Sequence, residues 1–196
     1  MITSTFTLQK DISKASLRCG ILTFLIITIA LLCRSGSFIL LLIYAAPGLF
    51  YGLTLVSSMD AQDSPLGTIL FMILSLTINI FCVYQVTKDA LYTDPSPYAA
   101  LKLVTYGTLG AVMLSLSADL LIFRRFSIFY TIAMPAILGI VASLLSAGCM
   151  YILFTGKYSE FVSGLLWIGM FTIFPLWQYL FGLNVKNHNK AKAFPQ

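Results

Sequence analysis

Apolar runs long enough to cross a bilayer recur along this chain with only short polar breaks between them, and that repetition limits the fold more than any motif does. A helix spans the hydrocarbon core with roughly 17 to 25 apolar residues. Six runs are of that kind: 17–33, 38–58, 66–87, 101–123, 127–154 and 161–183. With 59% hydrophobic and 10% charged residues in a chain of 196, and a mean hydropathy of +0.92, the surplus apolar surface has no stable place in water. The expected class is therefore all-α, a polytopic membrane protein of six transmembrane helices joined by short loops. Residues 1–16 read as a cytoplasmic tail or interfacial helix, 17–183 as the bundle and 184–196 as a polar cytoplasmic tail.

The breaks carry loop chemistry. Arg34-Ser35-Gly36-Ser37 suits a tight turn, Met59 to Pro65 contains Asp60 and Asp63, and Asp94-Pro95-Ser96-Pro97 cannot continue a helix. Arg124-Arg125 separates the fourth run from the fifth, and Thr155-Gly156-Lys157 ends the fifth. Lys10, Lys14 and Arg18 precede the first run as they would a signal peptide, but no small-residue cleavage site follows, so that run is kept as a helix. Leu8, Ile12 and Ala15 share one helical face upstream of it.

Basic residues set the orientation. Lys10, Lys14, Arg18, Arg124, Arg125, Lys186, Lys190 and Lys192 fall on one side of six crossings, and Arg34, Lys88, Lys102 and Lys157 on the other. Eight against four places both termini in the cytoplasm, in the plasma (inner) membrane of a cell. The net charge of +5 arises from these scattered residues; no basic patch interleaved with aromatics points to nucleic acid. His188, the single histidine, is expected to be solvated in the tail.

Asp119 is the one carboxylate well inside a predicted span, and a charge in hydrocarbon is costly unless it faces protein, water or a partner. Gly107, Ala111, Ser115 and Asp119 recur every fourth residue, so the acid shares a small-residue stripe that another helix can approach closely. On the third run Thr68, Ser75, Asn79 and Cys82 form a polar seam at helical spacing. Set antiparallel, the two helices would align Asp119, Ser115, Ser75 and Asn79 into a broken polar file. Such a file serves either as interhelical glue or as a pathway for a small solute or proton.

The second and fifth runs are each interrupted by proline, at Pro47 and Pro135. Each ring removes a backbone donor, and the freed carbonyl needs a partner from a neighbouring helix or water. Gly48 and Gly52 form a GxxxG face, and Gly139, Ser143 and Ala147 a looser equivalent, both suited to close helix packing. Arg34 lies 13 residues before Pro47 and Arg124 lies 11 before Pro135, while Ile80 to Gln85 resembles Ile173 to Gln178. These pairs suggest two inverted three-helix halves, the pattern of alternating-access carriers, with a site flanked by Pro47 and Pro135 and matched positions at Gln85 and Gln178. A competing gap-free match pairs Gly67-Thr68 and Leu74-Ser75-Leu76 with Gly107-Thr108 and Leu114-Ser115-Leu116.

Catalytic chemistry finds little support. No carboxylate pair within one span, HExxH, GxSxG or phosphate-binding loop occurs. Cys19, Cys33, Cys82 and Cys149 lie in apolar runs without a CxxC or an adjoining histidine, so no metal, haem or other cofactor is expected. Trp167, Phe171, Phe174 and Trp177 sit at helical spacing in the sixth run and read as lipid-facing or packing residues. Two functional classes follow. One is a small-solute or ion transporter or channel, built on the seam between the third and fourth helices. The other is a non-catalytic membrane partner, such as an accessory, immunity or assembly subunit acting by helix packing, as a homo-oligomer or with another membrane protein; membrane lipid is the constant neighbour in both.

Overall fold

Chains this rich in Leu, Ile and Phe satisfy their backbone polar groups internally when they enter lipid, and continuous helices do so with local bonds alone. The computed structural model describes residues 12–32, 36–57, 65–92, 98–124 and 126–193, and every regular element among them is a helix. In chain order these are α1 (Ile12–Leu32), α2 (Gly36–Ser57), α3 (Pro65–Tyr92), α4 (Tyr98–Leu121), a π-helical turn (Ile128–Ala133) running into α5 (Met134–Thr155), then α6 (Glu160–Met170) and α7 (Ile173–Ala193). Five stretches are long and apolar enough to cross a membrane: Ile12–Ala30, Leu66–Lys88, Tyr98–Leu121, Ile128–Thr155 and Glu160–His188. Within α2 the apolar stretch among the described residues is the shorter Leu42–Thr54. The turn at Arg34, the acidic break at Asp60 and Asp63, the Asp94–Pro97 link, Arg125 and the segment up to residue 11 lie outside the described residues.

The side-chain distribution is inverted relative to a water-soluble bundle. Leu32, Leu101, Ile128, Leu144 and Phe161 are exposed on the outside, whereas Ser75, Thr131, Ser143, Ser146, Gln178 and Asp119 are buried between helices. Lipid tails are as apolar as leucine, so packing there relies on small residues and interhelical hydrogen bonds. Serines and threonines close their own donors locally: Thr23 Oγ1 donates to the Cys19 carbonyl at 2.9 Å and Ser143 Oγ to that of Gly139 at 2.7 Å.

From α1 to α6 each helix packs on the next, and α7 packs on α5 and returns against α1 to close a ring. The glycines show how tightly. A Cβ at Gly48 would lie 2.7 Å from the Ser75 carbonyl oxygen and 2.8 Å from Asn79 Cβ, which locks α2 against antiparallel α3. A Cβ at Gly107 would lie 2.3 Å from Ser143 Oγ, and one at Gly139 would lie 2.8 Å from Thr108 Cα and 3.0 Å from Ala111 Cβ, which does the same for α4 and α5. Gly52 is looser, with Met72 at 3.6 Å. The ring's seam depends on a pair that sequence spacing did not single out: Gly20 against Pro175, and Gly182 against Ser13 and Ser16.

Three departures from the sequence expectations follow from local chemistry. The sixth run is two helices, because Pro175 has no amide to offer and the chain turns at Phe171 and Thr172, where Thr172 Oγ1 donates to the Gly169 carbonyl at 2.7 Å. Upstream of Pro135 the helix widens into the π turn, whose closing bond runs from the Met134 amide to the Phe129 carbonyl. Finally, α7 continues as a helix past residue 183 to Ala193, so Asn184 and His188, expected in a solvated tail, are buried against the ring.

Candidate functional site

The interior of the ring holds two regions of different chemistry. In the half nearer the α3–α4 and α5–α6 connections is a cavity of about 200 Å³. Its wall takes Pro47 and Tyr51 from α2, Asn79 and Cys82 from α3, and Tyr106 and Gly110 from α4, with Met150 and Phe154 from α5. Trp167, Phe171, Phe174 and Trp177 close it from α6 and α7. Phe171 at the helix break is buried, Phe174 and Trp177 are half-buried, and Trp167 stays 41% exposed. Among the described residues no Asp, Glu, Lys, Arg or His lines this space.

Several polar groups in and beside the wall bond to α2 or within α3. Asn79 Nδ2 donates to the Tyr44 carbonyl, one turn before Pro47, where the missing proline amide loosens the helix ladder. Ser75 Oγ donates to the Gly48 carbonyl at 2.8 Å. The Thr87 hydroxyl bonds the Val83 carbonyl at 2.9 Å and also pairs with the Tyr44 hydroxyl. Ser75 and Asn79 of the third-helix seam thus bond to α2, while Cys82 lies against Gly110 of α4. Ser75 and Asn79 join no file to Asp119, although Ser115 is buried on the same stripe as the acid.

Below the cavity an aromatic cluster forms a floor. Tyr51 is fully buried and meets Phe71, Trp177 and Phe181 edge to face, with ring centroids 6.4, 5.2 and 5.0 Å away. The Tyr51 hydroxyl and the Trp177 indole nitrogen are sealed from solvent and have no hydrogen-bond partner among the described residues.

The second region lies beyond that floor. Asp119, 3% exposed, accepts a 2.6 Å hydrogen bond from Thr131 Oγ1 on its Oδ2, and His188 Nδ1 lies 3.4 Å from the same oxygen. His188 stacks on Tyr130, centroids 4.9 Å apart with planes 15° from parallel. The π turn builds this cluster. With i to i−5 pairing, the Tyr130 carbonyl would be matched to residue 135, which is a proline without a donor; Asn184 Nδ2 supplies the bond instead, at 2.8 Å. Arg124, with φ of 47°, is the one non-glycine in the left-handed region among the described residues and turns the chain out of α4 toward the π turn.

Of the residues the sequence nominated, Pro47, Asn79, Gly48 and Gly107 reach the cavity, and Pro135 and Ala111 border a small void between it and Asn184. Gly139 and Ser143 are spent in α4–α5 packing. Gln85 is half-buried, whereas Gln178 is completely buried with an unpartnered amide, so the two do not occupy equivalent surroundings. Thr131, Tyr130, Asn184 and His188 were missed. The signal for the last two was present: Phe181, Asn184, Val185 and His188 recur at helical spacing on one face and are all buried. Among the described residues no group of acidic, histidine and cysteine side chains could hold a metal ion. Comparisons with protein-family models, curated proteins and solved structures return no match.

Proposed function

We propose that the chain is a small membrane carrier for a neutral, largely apolar molecule of about one or two rings, bound in the central cavity. The observation that carries this reading is the cavity itself, a half-open pocket between helices lined by aromatic and aliphatic side chains, none of them charged among the described residues. A dry engineered cavity of about 150 Å³ accepts benzene, so about 200 Å³ leaves room for a somewhat larger guest. Ligand sites of this kind are concave, mostly apolar and placed between helices of a bundle. The carrier part of the proposal includes six crossings, both termini cytoplasmic in the plasma membrane, and two inverted halves. Its support for the halves is a shared device, since an asparagine from a neighbouring helix bonds a carbonyl beside each proline, Asn79 for α2 and Asn184 for the start of α5. The reading is not an enzymatic one. An ion channel through the third and fourth helices is disfavoured because Ser75 and Asn79 of the seam are used up by α2. A partner protein acting through the glycine faces is disfavoured because those faces are consumed inside the chain.

Both tryptophans of the chain line the cavity, so occupancy has a direct optical readout. Iodobenzene, a neutral heavy-atom quencher, should quench them saturably in nanodiscs, beyond the quenching of tryptophan octyl ester in the same lipid. Val83→Phe, which fills the wall, should abolish the saturable component, and energised vesicles should accumulate radiolabelled naphthalene only with the wild-type chain. Quenching no better than the lipid control, or unaffected by Val83→Phe, would refute the cavity as the site.

A further inference from the structure

The central cavity is half open, and the helices that line it show which side is missing. Resting on the carrier reading, we propose that the cavity opens sideways into lipid between α2 and α6. Its cargo is then a molecule dissolved among acyl chains and taken from them, not from water.

Among the described residues the wall draws on every helix except α1. In the other half of the ring α1 and α7 close against each other, with Gly20 on Pro175 and Gly182 on Ser13 and Ser16. The corner between α6 and α7 ends that contact. Backbone bonds hold the corner, from the Phe171 amide to the Ile168 carbonyl at 3.1 Å and from the Thr172 amide to the Gly169 carbonyl at 3.2 Å, so α6 departs at a set angle. Beyond it α6 packs on α5, where Gly169 lies against Cys149, and on neither α1 nor α2 to a comparable extent. At that level α1 turns Leu25, Ile29 and Leu32 outward. The two wall helices on either side of the missing one, α2 and α6, are therefore not joined.

The residues at this gap identify the solvent it faces. Trp167 on α6 belongs to the wall and is also its most exposed member among the described residues, at 41%, which marks the mouth. Ile43, half-buried, is the wall residue nearest the start of α2. Phe161, Val162 and Leu165 are exposed on the same short helix as Trp167. Apolar lips of this kind are stable against hydrocarbon and costly against water. A tryptophan half in the wall and half outside it offers an entering ring or chain a continuous apolar path to Phe174 and Trp177.

The test separates lipid entry from aqueous entry by the quencher used. In the full chain, Trp167→Phe leaves Trp177 as the sole tryptophan. In nanodiscs of phosphatidylcholine with brominated acyl chains, Trp177 should lose most of the emission it has in unbrominated nanodiscs, and iodide added to the water should leave it unquenched. Val83→Phe in the same background fills the wall and should restore the emission; Leu103→Phe makes the same test if Val83→Phe does not fold. Quenching by iodide and not by bromolipid would overturn the proposal by placing the mouth at the aqueous face. Bromolipid quenching that both filling variants leave unchanged would overturn it by tracing the contact to the outside of α7, and silence to both quenchers would show no lateral opening. Saturable iodobenzene quenching judges the carrier site separately. Its presence without bromolipid quenching keeps the site and removes the lateral opening, whereas bromolipid quenching without it sinks the carrier reading and leaves the opening in place.

Discussion

The two ends of the ring interior treat polarity in opposite ways. Around the cavity Asn79 and Thr87 are turned back onto backbone carbonyls, the Tyr51 hydroxyl and the Trp177 indole nitrogen have no partner among the described residues, and the rest is ring and alkyl surface. Around Asp119 the polar groups are turned on one another: Thr131 and His188 meet one carboxylate oxygen, and Asn184 reaches the adjoining turn. Proline is the common cause, since Pro47 and Pro135 each strip a bond from a helix. The outcome differs because α2 stays α-helical, whereas the start of α5 widens and turns Thr131 toward the acid. A helix defect in lipid can thus be sealed to make a dry space or used to assemble a charged one.

This contrast can be broken experimentally. The largest effect is expected at Gly48→Leu: its Cβ would collide with the Ser75 carbonyl and Asn79, both spent on α2, so the folded monomer should be lost by gel filtration. A well-folded Gly48→Leu would mean that the cavity is slack packing and not a space held open by backbone contact. Next comes Asp119→Ala, which dismantles the buried cluster and should cost about 3 kcal/mol in unfolding free energy; a loss below about 1 kcal/mol would put the acid end on a par with the cavity end. Asn184→Ala leaves the Tyr130 carbonyl unbonded and should cost about 1 to 3 kcal/mol, and Asn79→Ala should cost less because the Tyr44 carbonyl keeps its place in the continuous α2 ladder. A measurable loss for only one of them would show that the two prolines are not treated alike. Val83→Phe should be mildest, within about 1.5 kcal/mol of the wild type, because added volume enters existing space.

Much of the scaffold was readable before any coordinates. Composition and the spacing of apolar runs placed most helices, and the small-residue stripes on α2, α4 and α5 are where close packing occurs. The partners of those stripes were harder to read. Periodicity says that Ser75 and Asn79 share a face, but both neighbours of α3 lie within reach, and only packing assigns the two to α2. The last helix was misjudged for a different reason. A window averaging Asn184 to Lys192 is hydrophilic, so it reads as solvated. Asn184 and His188 nevertheless share a buried stripe with Phe181 and Val185, while Asn187 is exposed. The π turn left no direct mark in the sequence, since Pro135 marks a disturbed ladder without saying whether the helix stays α-helical, as α2 does, or gains a residue per turn.

The seam between α1 and α7 has a consequence for biogenesis. Among the described helices α1 is made first and α7 last, so the contact of longest sequence separation is the one that closes the ring. Until then Ser13, Ser16 and Thr23 stand on an unshielded helix face. A nascent chain halted before Gly182 is thus an open arc, presenting the insertion machinery with a hydroxyl-bearing edge that the finished protein conceals.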